Sequence, residues 1–555
     1  MIRYIITFFA VVVSLTACSN KDKQSSKINN SSAAVAAATD TLTSNSGIGS
    51  ISKSESASVS GTKIPTMPTT TDTSITPSTQ TDTQQSTFLP AEHLPAELTQ
   101  IIASNREAVF KQADPNALDT VRSYQTTGLN PETDAKIAAL LQQAQNDTNI
   151  GIPKTITREQ ALNELNFLFD LLKYGYGSYT YFGGDDTFGA LKQYMTVRIS
   201  TMGDPVSTDD YLNDFLAPCL RTLIIDNHFW VGGVSIGSGS RNFYSTEHLF
   251  IKDGDSYTTV IDGKEYKLVD DQSAQYLLPT LDQYGKIAWT LGIMSNINYS
   301  NIGAKLEDMQ TKEIVQETWP VSVASKDYIN YLSKDIYTLD DDNDYHVPIL
   351  TNRLLWAPQT GDESKLNDFV KTGLTLRDDK LLIVDLRNNG GGNDVNAYQW
   401  LVNYTSSIPQ YSFFFNTCLV SKTSKAFFTN GNVGFPMRDS NWSDIVKNPP
   451  LHLSNKNLVI VLMDNHISSA GETFIGYLRQ MDNVIFVGVP TEGCLTSGNV
   501  GGTVLPDSKY SINFGINLNI RPDLSKFEGE GFSPDLWVSP SESLDRVLKF
   551  IQQLY

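Results

Sequence analysis

Two short stretches in the last third of the chain carry residue types suited to acyl transfer. Asn465-His466-Ile467-Ser468-Ser469-Ala470-Gly471-Glu472 stands between an apolar run, 458–463, and a helical pattern. A small-residue turn between strand and helix holds a serine hydroxyl outward, and the helix N-terminus stabilises negative charge developing beside it. Asp385-Leu386-Arg387-Asn388-Asn389-Gly390-Gly391-Gly392 follows a second apolar run, 381–384. Consecutive glycines after a strand let the backbone approach a ligand with its N–H groups free to donate. Each stretch also has a plainer reading, a small residue required for packing or a simple tight turn.

The elements around these turns decide whether they can meet. From His346 onward, short buried β runs (381–385, 458–463, 484–487) alternate with helical stretches (362–372, 395–404, 470–481). That alternation predicts parallel β-α units, whose switch-point loops are where ligands bind. Ahead of them, residues 132–146, 158–174, 188–199 and 208–223 show helical spacing, the second beginning after Thr157 with Gln160 three residues on. These helices form a cap over 91–235 that delivers the chain to Asp226-Asn227-His228-Phe229. Between 240 and 345 the texture is strand and turn. Runs 257–261 and 265–269 flank Asp262-Gly263, a hairpin signal, and 287–291 and 321–323 are further strands. This small β-rich domain lacks a Gly-Leu-Gly-type carboxylate-binding loop, so it is not read as a PDZ module.

The strings DLRNNGGG, NHISSAGE and GVPTEG, with the closing EGEGFSPDLWV, resemble the C-terminal-processing and tricorn-like family of serine peptidases. The resemblance covers most of 345–555 in order and spacing. It implies a ClpP/crotonase-like α/β catalytic domain over 346–555, carrying the helical cap and the inserted β-rich domain. By position, Ser469 matches the nucleophile, with Ser468 as a neighbouring alternative. The N–H groups of Ala470 and of Gly391 or Gly392 match the oxyanion hole. Asp385 and Arg387 are expected to fix the loop rather than touch substrate. Where the Ser-Lys branch has a lysine after Thr-x-Gly, this chain has Cys494, and a thiol is a poor substitute for a desolvated amine. The tricorn-like branch is therefore favoured, with His228 as base and Glu528 assisting it. His466 and Glu530 are the alternatives, and Asn227 stands where that branch often has serine. No metal or organic cofactor is implied.

Composition narrows the remaining classes. A net charge of −19 opposes nucleic-acid binding, which needs clustered Lys and Arg. The basic start at Arg3, the apolar run to Leu15 and the sequence Leu15-Thr16-Ala17-Cys18 read as a signal peptide over 1–17 that resembles a bacterial lipobox. Cys18 is then the lipidated first residue of an extracytoplasmic protein held on a membrane. Residues 18–90, rich in Ser and Thr, read as a disordered tether. Cys219, Cys418 and Cys494 lack metal-ligand spacing, and no disulfide is assigned among them. Asp340-Asp341-Asp342-Asn343-Asp344 lacks the glycine and distal glutamate of an EF-hand loop, leaving a solvated acidic turn. The expected substrate is a peptide or an unfolded protein. The rival readings are a binding protein without turnover on the same scaffold, and a crotonase-like enzyme, which export makes a poor fit.

Overall fold

The computed structural model describes residues 94–109, 113–146, 151–239, 241–269, 271–324, 326–341, 343–428, 441–449 and 451–554. All of them belong to the compact unit Thr83–Tyr555. The leader, Cys18 and the tether lie outside the described residues.

The centre of the fold is a six-stranded sheet. Its order is Tyr337–Asp340, Ile349–Asn352, Leu381–Asp385, Leu458–Met463, Val484–Gly488 and Leu536–Trp537. The first pairing is antiparallel and the others are parallel. The three middle strands are apolar along their whole length because both faces are covered. Leu382, Val384, Val459 and Val461 face Phe369, Trp400 and Phe474, which come from helices Asp362–Thr375, Asp394–Thr405 and Ala470–Leu478. Their neighbours Ile383, Ile460 and Ile485 face Leu98 of helix Ala96–Val109 and Val547 and Ile551 of helix Ser543–Gln553. Strands Leu381–Asp385 and Leu458–Met463 are direct neighbours in register, Asp385 opposite Leu462. Parallel neighbours end on the same side, so the glycine turn and the serine turn leave the sheet side by side.

Among the helices ahead of the sheet, Arg158–Gly175 starts from the capping box expected of Thr157 and Gln160. The stretch expected as one helix at 208–223 is interrupted by a π-helical turn at Tyr211–Leu216. Residues 242–323 make a small barrel. Strand Ile314–Val323 pairs with Asn301–Asp308 on one side and with Asn242–Asp253 on the other, closing the ring around Phe250, Leu291, Ile302 and Leu306. The Asp262-Gly263 turn sits in its hairpin, both residues at positive φ.

One feature departs from the purely parallel reading of 346–555. Strands Ser497–Val504 and Ser511–Ile520 form an antiparallel hairpin, joined by Phe415–Cys418 and by Trp230–Val231 and Val234–Ser235 from the cap. This second sheet ties the end of the cap, and with it His228, to the catalytic region. Among the described residues no helix is long and apolar enough to cross a membrane.

Candidate active site

Ser469 is the N-cap of helix Ala470–Leu478, at φ 53° and ψ −124°. A serine held at positive φ is a strained conformation that the surroundings must enforce. Here they do so with hydrogen bonds. Ser468 N–H donates to the Asn389 carbonyl at 3.0 Å, and the Ser469 carbonyl accepts from Glu472 N at 2.9 Å and Thr473 N at 3.0 Å. Gly471 leaves room for the Asn389 side chain, which a Cβ there would meet at 2.8 Å. The Ser469 side chain is half-buried and lines a cleft of about 580 Å³.

The glycine turn packs directly on this elbow. A Cβ on Gly391 would lie 2.7 Å from the Ser468 carbonyl oxygen, 2.8 Å from Ser469 Cβ and 3.0 Å from Ala470 N. The turn is braced from below by a buried ion cluster. Arg387 and Arg353 both clamp Asp385, with contacts of 2.7 Å from each guanidinium to Oδ2. Burial alone would raise the Asp385 carboxyl, but the two arginines hold it well below the usual carboxylate range. A second buried carboxylate, Asp464, accepts from Asn388 N at 2.9 Å and from the Tyr328 hydroxyl at 2.5 Å. Of the two glycine amides expected at the oxyanion hole, that of Gly391 is engaged by Asn389 Oδ1 at 2.9 Å. Among the described residues the amides of Gly392 and Ala470 have no such acceptor, and both residues line the cleft.

His228 lines the same cleft, although 241 residues separate it from Ser469 (469 − 228). Phe229 anchors the segment, buried and stacked on Phe514 at 5.6 Å. The Asp226 carboxylate accepts hydrogen bonds from His228 N at 2.9 Å and from the Tyr176 and Ser497 hydroxyls at 2.6 Å each. Burial lowers the imidazole pKa, opposed by the Asp226 charge and the Ser497 backbone. The ring therefore favours its neutral form. Nδ1 is buried without a hydrogen-bond partner among the described residues, and the residue lines the cleft. No hydrogen bond joins the ring to Ser469 Oγ among the described residues.

Among the described residues, Glu528 makes no hydrogen bond to the imidazole. It is buried beneath the preceding peptide, accepting from Asn227 N at 2.7 Å and from Thr496 N at 3.0 Å. Burial and the neighbouring Asp226 push its carboxyl well up. Its rival Glu530 is exposed at the surface. Asn227 Nδ2 donates to the Gly493 carbonyl and its Oδ1 accepts from Ser238 N, so Asn227 fixes the histidine loop in its own way. Cys494, at the lysine position of the Ser-Lys branch, is a buried thiol pushed far up by burial and by the surrounding carboxylates. It is unfit as a base. His466 does not line the cleft, and its buried Nε2 has no partner among the described residues.

Two organising residues were not legible as such in the sequence. Glu472 is buried and accepts from Thr491 Oγ1, Gly493 N and Cys494 N, which ties the serine helix to the loop 491–494. Burial pushes its carboxyl up to about 8. Asn389 joins both turns, accepting from Gly391 N and Ser468 N while donating to Asn352. Both lie inside the quoted strings, but only their buried backbone contacts reveal the role. Among the described residues no group of three or more His, Cys, Asp or Glu side chains is placed to hold a metal ion.

Residues 359–538 match the model of peptidase family S41. No curated protein sequence matches the chain. Solved structures that resemble it include mature CPAF complexed with lactacystin, 14% identical over 72% of this chain and 99% of that one, TM-score 0.38. The photosystem II D1 C-terminal processing protease is 13% identical over 70% and 97%, TM-score 0.31. The tricorn protease is 14% identical over 72% and 37%, TM-score 0.29. The strand-turn-helix serine and the glycine turn both lie inside the segment 359–538 that matches peptidase family S41, a family of serine-type peptidases.

Proposed function

We propose that the protein cleaves peptide bonds through an acyl-enzyme on Ser469, with His228 as general base. His228 takes the Ser469 proton as Oγ attacks the scissile carbonyl carbon. The resulting oxyanion accepts hydrogen bonds from Ala470 N and Gly392 N, at the N-terminus of helix Ala470–Leu478. Collapse breaks the C–N bond, and the imidazolium returns its proton to the leaving amine. Water then repeats the sequence on the ester and frees Ser469. Asp226, Asn227 and Glu528 act as positioning residues that hold the histidine segment against the loop 491–497. The sheet arrangement, with the nucleophile after one parallel strand and the oxyanion donors after its neighbour, supports a ClpP/crotonase-like catalytic domain.

The observation that carries this reading is the strained Ser469 elbow pressed against Gly391 in a cleft that His228 shares. The serine-type peptidase family favours peptides and unfolded proteins as substrates. The leader ending in Leu15-Thr16-Ala17-Cys18 supports an extracytoplasmic protein anchored to the membrane through lipid on Cys18. Hydrolysis of a denatured, fluorescently quenched protein tests the proposal. Wild type should turn it over, while Ser469→Ala should abolish turnover and His228→Gln should lower kcat by several orders of magnitude. Undiminished activity in Ser469→Ala contradicts it, and an inert wild type leaves a binding protein on this scaffold.

A further inference from the structure

A second cavity, of about 410 Å³, is lined in part by Glu530 and Gly531, just after Glu528 in the chain. Three arginines line it, in a chain whose net charge is −19. Arg479 is only 7% exposed. Its guanidinium lies 5.4 Å from the Phe486 ring centroid and 5.7 Å from that of Phe532, and Nη1 donates to the Ser533 carbonyl at 3.0 Å. Among the described residues its buried Nε has no hydrogen-bond partner. The nearby carboxylate, Asp535, is occupied by Arg106 at 3.4 Å and by Phe486 N at 2.8 Å.

The other two arginines are also held by backbone carbonyls, Arg521 with aromatic faces beside it. Arg521 Nη2 donates to the Gly531 carbonyl at 2.9 Å, with its guanidinium 4.7 Å from the Phe527 centroid. Arg241 Nη2 donates to the Glu530 carbonyl at 2.8 Å. Among the described residues, none of the three forms an ion pair with a carboxylate within 4.0 Å. Asp523 and Glu530 also line the cavity, so three cations face two anions there. Burying a guanidinium with an unused N–H is unfavourable unless something supplies the missing acceptor. Planar, preorganised guanidinium groups are matched by carboxylate and phosphate oxygens, to which they donate in pairs.

We propose that this cavity binds a compact oxyanion, a carboxylate or phosphate group, held by Arg479 and Arg521 with Arg241 at the rim. The site is separate from the Ser469 cleft and uses none of its lining residues.

Calorimetric titration of the full chain with inorganic phosphate, at constant ionic strength in chloride, tests this. The expected result is saturable binding that Arg521→Gln weakens about tenfold or more, the loss of one charge-assisted contact. Arg241→Gln should weaken it less, and being at the rim it keeps the test open if Arg521→Gln misfolds. Competition for phosphate by a short peptide with a free terminal carboxylate, but not by its amide, measured on Ser469→Ala, assigns the anion to a chain end. Phosphate binding without that competition assigns it to free phosphate, and either result supports an oxyanion site. Absence of saturable binding, or binding unchanged in both arginine variants, overturns the proposal.

Discussion

Replacing Gly391 with alanine probes the contact on which the site depends. Gly391 sits at φ +86°, a conformation that costs an L-residue roughly 1–3 kcal/mol. The new Cβ would stand 2.7 Å from the Ser468 carbonyl oxygen and 3.0 Å from Ala470 N, both backbone atoms of the elbow. Neither can swing aside as a side chain would, so the two turns must part by several tenths of an ångström. That displacement moves the Gly392 and Ala470 amides relative to each other. Loss of one aligned oxyanion donor costs about 10²–10³ in kcat. The neighbouring Gly390 supplies the control, because its Cβ would meet nothing nearer than Leu354 Cδ1 at 3.7 Å. Steady-state hydrolysis of one peptide substrate, with thermal unfolding of each variant, should show kcat about 10²-fold lower or worse in Gly391→Ala. Gly390→Ala should remain within a few-fold of wild type. Equal activity of the two variants would falsify the claim that this spacing builds the oxyanion site.

Three further outcomes are expected. Burial lowers the His228 pKa below its ordinary 6.5, and a general base works only when neutral. The acid limb of kcat/KM assigned to His228 should therefore lie below pH 6.5, rising with pH; a limb above 6.5 contradicts the environment described. Asp385→Asn leaves two buried guanidinium groups facing a neutral amide, and denaturant unfolding should show a loss of about 3–5 kcal/mol. An effect under about 1 kcal/mol would mean the ion cluster does not brace the turn. Cys18→Ser should release the protein from the membrane fraction and prevent incorporation of labelled fatty acid. Unchanged fractionation and labelling remove the lipid anchor.

The legible parts of the fold were those with strong local chemistry. The strands Leu381–Asp385 and Leu458–Met463 follow from uninterrupted apolar runs that only a doubly covered strand tolerates. Thr157 and Gln160 signalled a helix start because both capping partners are local, and Asp262-Gly263 signalled a hairpin because its turn demands positive φ. The antiparallel sheet was hidden for the opposite reason. Its contributions from Trp230–Val231 and Val234–Ser235 are two residues long, and the first joins the sheet through Ser511–Ile520, remote in sequence. The site divides along the same line. Ser469 and the glycines stand in a recognisable string, whereas the grip of Glu528 on the Asn227 peptide depends on tertiary packing across 301 residues. The engagement of Gly391 N–H by Asn389 is local, but choosing between adjacent glycine amides needs the actual direction of each N–H.

Mass spectrometry after treatment with a fluorophosphonate tests the central claim most directly. A single phosphonyl adduct should appear on the wild type and map to Ser469, with markedly slower labelling in His228→Gln. An unmodified protein, or an adduct that persists in Ser469→Ala, contradicts the account.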